Sequence, residues 1–230
     1  MIDIEQLKST VPIGRSGDWS VDKFTITEDG AKMANMKMTF GGFGYRFVTP
    51  GEYTRLSRNN KCIMSDTRAE IRDHIYFISD SKGDVLIHGL GLGIVALACA
   101  GKSEVKSVTV IEKSQDVINL VSEHVLKQSN KIRIICADAF TWEPDMKFDC
   151  IWSDIWDDIC ADNWEEMKKL RKHYRKFTSV HSFWVEYEVK RLVRQARKEE
   201  KEYQYFTNFG KERELANKAK EINQVDGIKL

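Results

Sequence analysis

The chain has almost no net charge: 36 Lys and Arg stand against 35 Asp and Glu, leaving +1. That balance excludes a global field recruiting nucleic acid or an anionic membrane. No two of the five cysteines (Cys62, Cys99, Cys136, Cys150, Cys160) have CxxC spacing. Cys99, Cys136 and Cys150 lie in runs that read as buried helix or strand, so reduced thiols are expected, not a disulfide or zinc framework. The five histidines, His74, His88, His124, His173 and His181, show no ligand spacing with one another or with cysteine, and no metal site is expected. No apolar run approaches a membrane span. The start, MIDIEQLKST, lacks the basic end and apolar core of a signal peptide. Internal repeats and low-complexity linkers are also missing. These absences predict a soluble, cytoplasmic protein.

What remains is a chain of 230 residues with 42% hydrophobic content, enough for one packed domain and a smaller appendage. Three textures divide it. Residues 1–80 read as a small β-rich region with a lead-in helix. KFTITEDGAKMANMKMTF predicts two strands around the turn Glu28-Asp29-Gly30. Gly41, Gly42 and Gly44 punctuate, FGYRFVT is a further strand candidate, and Pro50-Gly51 a turn. In SDTRAEIRDHIYFI, Ile71, Ile75 and Ile78 fall at helical spacing behind Ser65 or Asp66 as N-cap. Residues 81–184 alternate: strand DVLIHG, helix GIVALACAG, strand SVTVIE, helix SQDVINLVSEHVLK capped by Ser114, strands IRIICAD and FDCIWSD, helix NWEEMKKLRKHYRKF, and the short apolar run SVHSFWV. Such alternation predicts an α/β fold with a Rossmann-like, doubly wound, mostly parallel sheet. Residues 185–230 read as a charged helical extension, with one apolar stripe of Val189, Leu192, Val193 and Ala196 and a weaker one of Leu215, Ala219 and Ile222. The extension reads as a solvated helix packed by one stripe, or as an oligomer- or partner-forming element.

The stretch VLIHGLGLG carries Gly89, Gly91 and Gly93 between a strand and a helix. Glycine permits the sharp turn and close ligand approach, and N–H groups at the helix start are expected to face the ligand. A dinucleotide fingerprint would place its last glycine at position 94, which is Ile94. The cofactor expected is therefore one without a pyrophosphate. Glu112 ends the second strand, as an acid that accepts from two ribose hydroxyls should. Asp138 ends the third, placed to accept from an adenine amino group. Both lie at carboxyl strand ends, where open α/β sheets bind ligands.

The fourth strand runs into SDIWDDICADNW, where Asp154, Asp157, Asp158 and Asp162 crowd one loop. Clustered carboxylates raise one another's pKa, which suits a base. Asp162 reads as the cap of the helix near Asn163. Asp157 and Asp158 read equally as exposed loop acids or site residues. Asp154 directly follows the strand and is expected to point into the cofactor cleft. His88 reads as a buried hydrogen-bonding side chain rather than a base. The basic run 168–176 faces away from Trp164, Met167, Leu170, Tyr174 and Phe177, so it reads as a solvated outer face. No NPPY-like loop follows the fourth strand to receive a flipped base, and nucleic acid is not the expected partner.

VLIHGLGLG, VTVIEKSQDVINLV, IRIICADAF and FDCIWSDIWDD together resemble the class I S-adenosylmethionine-dependent methyltransferases, and within them the spermidine synthase-like branch, over roughly residues 20–177. SDIWDD resembles that branch's catalytic acidic loop. The resemblance implies that S-adenosylmethionine, or its decarboxylated form, is bound by Gly89, Gly91, Gly93, Glu112, Asp138 and Ala139. It also implies that Asp154 lies near the transferred group and that Asp157 helps to hold an amine. The expected partner is a small, amine-like acceptor, with a second copy of the chain where the pocket is shared.

Two departures stand out. Aminopropyltransferases place an aspartate inside the glycine motif, where this chain has Leu92, and many methyltransferases place an acid where it has Ile87. The last two sheet strands of the full fold are also not evident after SVHSFWV. Methyl transfer to an amine is thus the leading expectation. Aminopropyl transfer and a non-catalytic cofactor-binding or scaffold protein are its alternatives.

Overall fold

The computed structural model describes residues 7–40 and 46–198. The glycines at 41, 42 and 44 and the stripe of Leu215, Ala219 and Ile222 lie outside them. The described residues fall into two compact units, one within Met1–Ile155 and Leu170–Trp184, the other within Trp156–Lys169 and Val185–Leu230.

The first unit begins with a four-stranded antiparallel sheet in the order β1 (Gly14–Ser16), β2 (Trp19–Ile26), β3 (Gly51–Arg58), β4 (Lys61–Ser65). β3 and β4 form a two-residue hairpin through Asn59 and Asn60, both at positive φ (49° and 64°). Asparagine tolerates that geometry, and the primed turn it makes matches strand twist. Neither strand is evident from the sequence, because GEYTRLSR and KCIMS alternate weakly.

The second half of KFTITEDGAKMANMKMTF is not a strand. It forms α1 (Glu28–Phe40). Thr27 starts the helix: its hydroxyl accepts from Gly30 N–H (3.1 Å) and its carbonyl from Ala31 N–H (2.9 Å). Glu28 and Asp29 then sit in the first turn, where they complement the helix dipole. The period-2 run Met36, Met38 and Phe40 looks like a strand, but threonine followed by two acids is a helix start. FGYRFVT also differs from expectation, since its described part, 46–49, forms no strand. The main chain of Val48 pairs instead with the Asn35 carboxamide (2.8 and 3.0 Å).

The N-cap position of α2 (Arg68–Asp80) falls at Thr67, not at Ser65 or Asp66, and the Thr67 side chain makes no capping bond. The Ser65 and Asp66 side chains are committed elsewhere. Asp66 is buried and accepts from Thr54 N–H (2.7 Å) and Ser9 N–H (3.0 Å), while the Ser65 hydroxyl binds Glu70 (2.9 Å). Asp66→Ala orphans two main-chain donors and is expected to lower stability by about 3 kcal/mol, measured by denaturant unfolding.

The second sheet is parallel throughout: β5 (Gly83–His88), β6 (Val105–Glu112), β7 (Ile132–Cys136), β8 (Cys150–Ser153) and β9 (His181–Phe183), in the order β7-β6-β5-β8-β9. SVHSFWV thus supplies a fifth strand of three residues. β5 and β8 are almost wholly buried, as strands covered on both faces must be. α3 (Ile94–Ala100) and α4 (Gln115–Gln128) connect β5, β6 and β7. Ser114 caps α4, and Val117, Val121 and Val125 bury one face of it. Val21 and Leu56 of the antiparallel sheet join the same core. Chain order runs outward from β5 in both directions, so the sheet's switch point lies between β5 and β8. Ligands of such sheets bind there, at the carboxyl ends.

α5 is Asn163–Tyr174, with Met167, Leu170 and Tyr174 fully buried and Lys168, Lys169 and Lys172 exposed. In the second unit, α6 (Glu186–Lys198) buries Val189, Leu192, Val193 and Ala196; Leu192 and Val193 cluster with Ala161. Among the described residues no helix is long and apolar enough to cross a membrane.

Candidate functional site

The loop between β5 and α3 holds Gly89, Gly91 and Gly93 at φ of 96°, 52° and 75°. Each is also demanded by packing. A Cβ at Gly89 would enter the carbonyl oxygen of Asp154, one at Gly93 would enter Val125, and one at Gly91 would lie 2.5 Å from the Met64 sulfur. Four of the loop's five main-chain N–H groups have protein acceptors: Gly89 on Ile111 O (2.8 Å), Leu90 on Glu112 Oε2 (2.9 Å), Leu92 on Met64 Sδ (3.4 Å) and Gly93 on Leu90 O (2.9 Å). The loop offers close backbone approach instead.

Glu112, at the end of β6, bridges that loop to α4. Its Oε2 accepts from Leu90 N–H and its Oε1 from Ser114 N–H (2.7 Å). Each carboxylate oxygen keeps a second lone pair, so two hydroxyl donors remain within its capacity. Asp138 follows β7. Its Oδ1 accepts from Phe140 N–H (2.9 Å) and its Oδ2 from Lys113 Nζ (2.8 Å). The Lys113 bond, then the Phe140 N–H, hold its carboxyl below the usual range. Lys113 is 77% exposed, so a competing donor displaces it at little cost. Ala139 is buried, and its carbonyl is fixed by the Tyr174 hydroxyl (2.7 Å).

Asp154 begins the loop after β8. Its N–H donates to His88 O (2.9 Å), which places it against Gly89 at the switch point. Desolvation, then the charges of Glu70 and Asp73, push its carboxyl up to about 8, against the opposing pull of Arg46. Asp157 belongs to the second compact unit. His88 is fully buried and shares the Ser153 hydroxyl with His181 (2.7 and 2.8 Å). Burial, then the neighbouring histidines, hold it well below its usual range, so it is a neutral structural group.

Beside Asp154 lies a set of side chains that sequence patterning does not reveal. Glu70, Asp73 and His74 of α2 occupy i, i+3 and i+4 positions, interleaved with the apolar stripe. His74 Nδ1 lies 3.9 Å from Asp154 Oδ2, and Arg46 pairs with Asp73 at 2.9 Å. Burial pushes Glu70 up to about 7, although Ser65 N–H and hydroxyl bonds oppose it. Burial, and then Arg46, hold His74 at about 4. The one signal in the sequence is a histidine flanked by apolar helix positions, Ile71, Phe77 and Ile78.

No protein-family model and no curated protein matches the chain. Among solved structures, a complex of DhpI with SAM and HEP is similar at 19% identity over 47% of this chain and 48% of that one, with a TM-score of 0.38. An S-adenosylmethionine-dependent methyltransferase from Clostridium acetobutylicum ATCC 824 is similar at 17% identity over 47% of this chain and 44% of that one, TM-score 0.35. Coclaurine N-methyltransferase bound to N-methylheliamine and SAH is similar at 23% identity over 48% and 32%, TM-score 0.39. The chain thus spans less than half the length of each of these structures.

Proposed function

We propose that the chain binds S-adenosylmethionine at the carboxyl ends of β5, β6, β7 and β8 and transfers its methyl group to a small amine-like acceptor. The observation that carries this reading is Glu112, a strand-end carboxylate fastened to the glycine loop by one oxygen and to the start of α4 by the other. That bracing presents a fixed acceptor edge beside a loop that permits close approach, which suits a ribose. Asp138 and Ala139 would border the adenine, and the three glycines would line the donor. Ile94 argues against a pyrophosphate, which needs room at that position.

When bound, the donor supplies an already activated methyl group whose leaving group departs neutral. The protein's own task is then alignment and proton management. Asp154, at the switch point, would hold the amine and take its proton. A carboxyl at about 8 is a far stronger base than an ordinary aspartate, so it matches that role near neutral pH. Residues 81–184 are proposed as the cofactor-binding part.

Incubation with S-adenosylmethionine or its decarboxylated form and a set of small amines tests the reading by product mass. Gain of a methyl group is expected. Gain of an aminopropyl group, or turnover unaffected by loss of Asp154, contradicts it. Glu112→Gln sets an amide NH2 against one of the two main-chain N–H groups. It should weaken S-adenosylhomocysteine binding about tenfold by calorimetry.

A further inference from the structure

The Asp154 region contains more buried charge than a single base requires. Asp73 and Arg46, with side chains only 9% and 13% exposed, form a pair that cancels. Glu70 is tied to Ser65 by main-chain and hydroxyl bonds (2.6 and 2.9 Å), which fix it beside them. His74 is 2% exposed and its Nδ1 has no hydrogen-bond partner, although it lies 3.9 Å from Asp154 Oδ2. With the ring proton on Nε2, this Nδ1 is a buried acceptor without a donor, which is costly. The unbalanced groups are therefore two carboxyls and one imidazole nitrogen. Once that proton is lost all three are acceptors, and they are then satisfied together by a group with several N–H donors and a positive charge. An alkylammonium has three such donors on one nitrogen.

We infer that Glu70, His74 and Asp154 form a site for an alkylammonium group, and that filling it expels a proton from the Glu70–Asp154 pair of carboxyls to solvent. The inference rests on the transfer reading above and deepens it, by naming the recognising residues and the charge they recognise. Charge balance dictates the proton. With Arg46 offsetting Asp73, and Glu70 and Asp154 raised to about 7 and 8, the set is close to neutral at neutral pH. An incoming cation stabilises a carboxylate, so one O–H bond breaks and its proton passes to buffer while the ammonium keeps its own three. The groups that face this site are Glu70, Asp73 and His74 from α2, Arg46 from the segment before β3, and Asp154 from the turn after β8. Two ligands carry the required group: the amine acceptor, and the amino-acid end of the donor itself. The second would compensate for the missing acids at Ile87 and Leu92.

Calorimetry on the full chain at pH 7.5, repeated in phosphate and Tris, reads the proton directly. The titrants are S-adenosylhomocysteine, 5′-methylthioadenosine, which lacks the amino-acid end, and 1,4-diaminobutane. The last is added to both free and S-adenosylhomocysteine-saturated protein. Release of about one proton is expected with S-adenosylhomocysteine but not 5′-methylthioadenosine if the donor fills the site, or with the diamine on saturated protein if the acceptor does. Affinity for the titrant that releases the proton should tighten about tenfold from pH 6.5 to 8.5. Glu70→Gln and Asp154→Asn, each checked for fold by circular dichroism, should reduce both effects. Binding of S-adenosylhomocysteine without proton release by any titrant overturns the inference and leaves the adenosine reading standing. If neither nucleoside binds, that reading falls, and the ammonium site is then supported by diamine binding to the free protein with release of a proton and overturned by its absence or by binding without one.

Discussion

Asp154→Asn should lower turnover by about two to four orders of magnitude, the usual worth of a positioned proton acceptor, while changing the affinity for 5′-methylthioadenosine, which carries no ammonium group, by less than about twofold. The substitution keeps the side chain's size and leaves the main-chain bond to His88 in place. It removes the carboxyl that β8 delivers to the switch point. In the parent protein kcat/KM should rise with pH through an apparent pKa near 8, because the base must be ionised. The variant should lose that rise. Stability responds with the opposite sign. A carboxyl raised from its usual value near 4 to about 8 binds its proton more tightly in the folded chain. Its contribution is therefore full at low pH and disappears as pH climbs from 4 to 8. Glu70, raised to about 7, adds to the same trend. Unfolding measured at pH 5, 7 and 9 should show a weaker decline in Asp154→Asn than in the parent. A steeper one would contradict the assigned burial.

Gly89→Ala should be the most damaging alanine substitution among the described glycines. At φ of 96° an L side chain is strained, and the new Cβ meets a main-chain oxygen, Asp154 O, that cannot rotate away. Backbone strain and overpacking together cost about 3–5 kcal/mol, a large share of the 5–15 typical of a domain. Relief of the clash must move either the glycine loop or the Asp154 turn, so donor binding should be lost as well. Gly101→Ala is the internal control. Its φ is −68°, and its nearest neighbours lie at 3.5 and 3.7 Å, so no strain follows. It should be neutral or stabilising by up to about 1 kcal/mol in the same denaturant experiment. Equal losses at both positions would show that Gly89 serves only chain flexibility.

The part of the site that was legible in the sequence follows from topology. In a doubly wound sheet every strand delivers its last residue to the same edge, so Gly89, Glu112, Asp138 and Asp154 could be grouped without coordinates. What each does there was not legible. That Glu112 holds Leu90 N–H, or that Met64 covers Leu92 N–H, depends on partners 22 and 28 residues apart. Glu70, Asp73 and His74 escaped notice for a related reason. Polar residues at i, i+3 and i+4 normally face solvent, and only tertiary packing buries them. In the first 65 residues local signals competed. Met36, Met38 and Phe40 mimic strand alternation, and the Thr27 helix start outweighs them. The Asn59-Asn60 turn was a true hairpin signal whose flanking strands alternate too weakly to stand out.

The central claim is that the edge shared by Gly89, Glu112 and Asp138 holds an adenosine whose sulfonium is the methyl donor. Calorimetric titration of the full chain with S-adenosylmethionine and S-adenosylhomocysteine tests it most directly. Saturable binding of both below millimolar concentration, weakened about tenfold in Glu112→Gln, is the predicted result. No binding of either at millimolar concentration would contradict it.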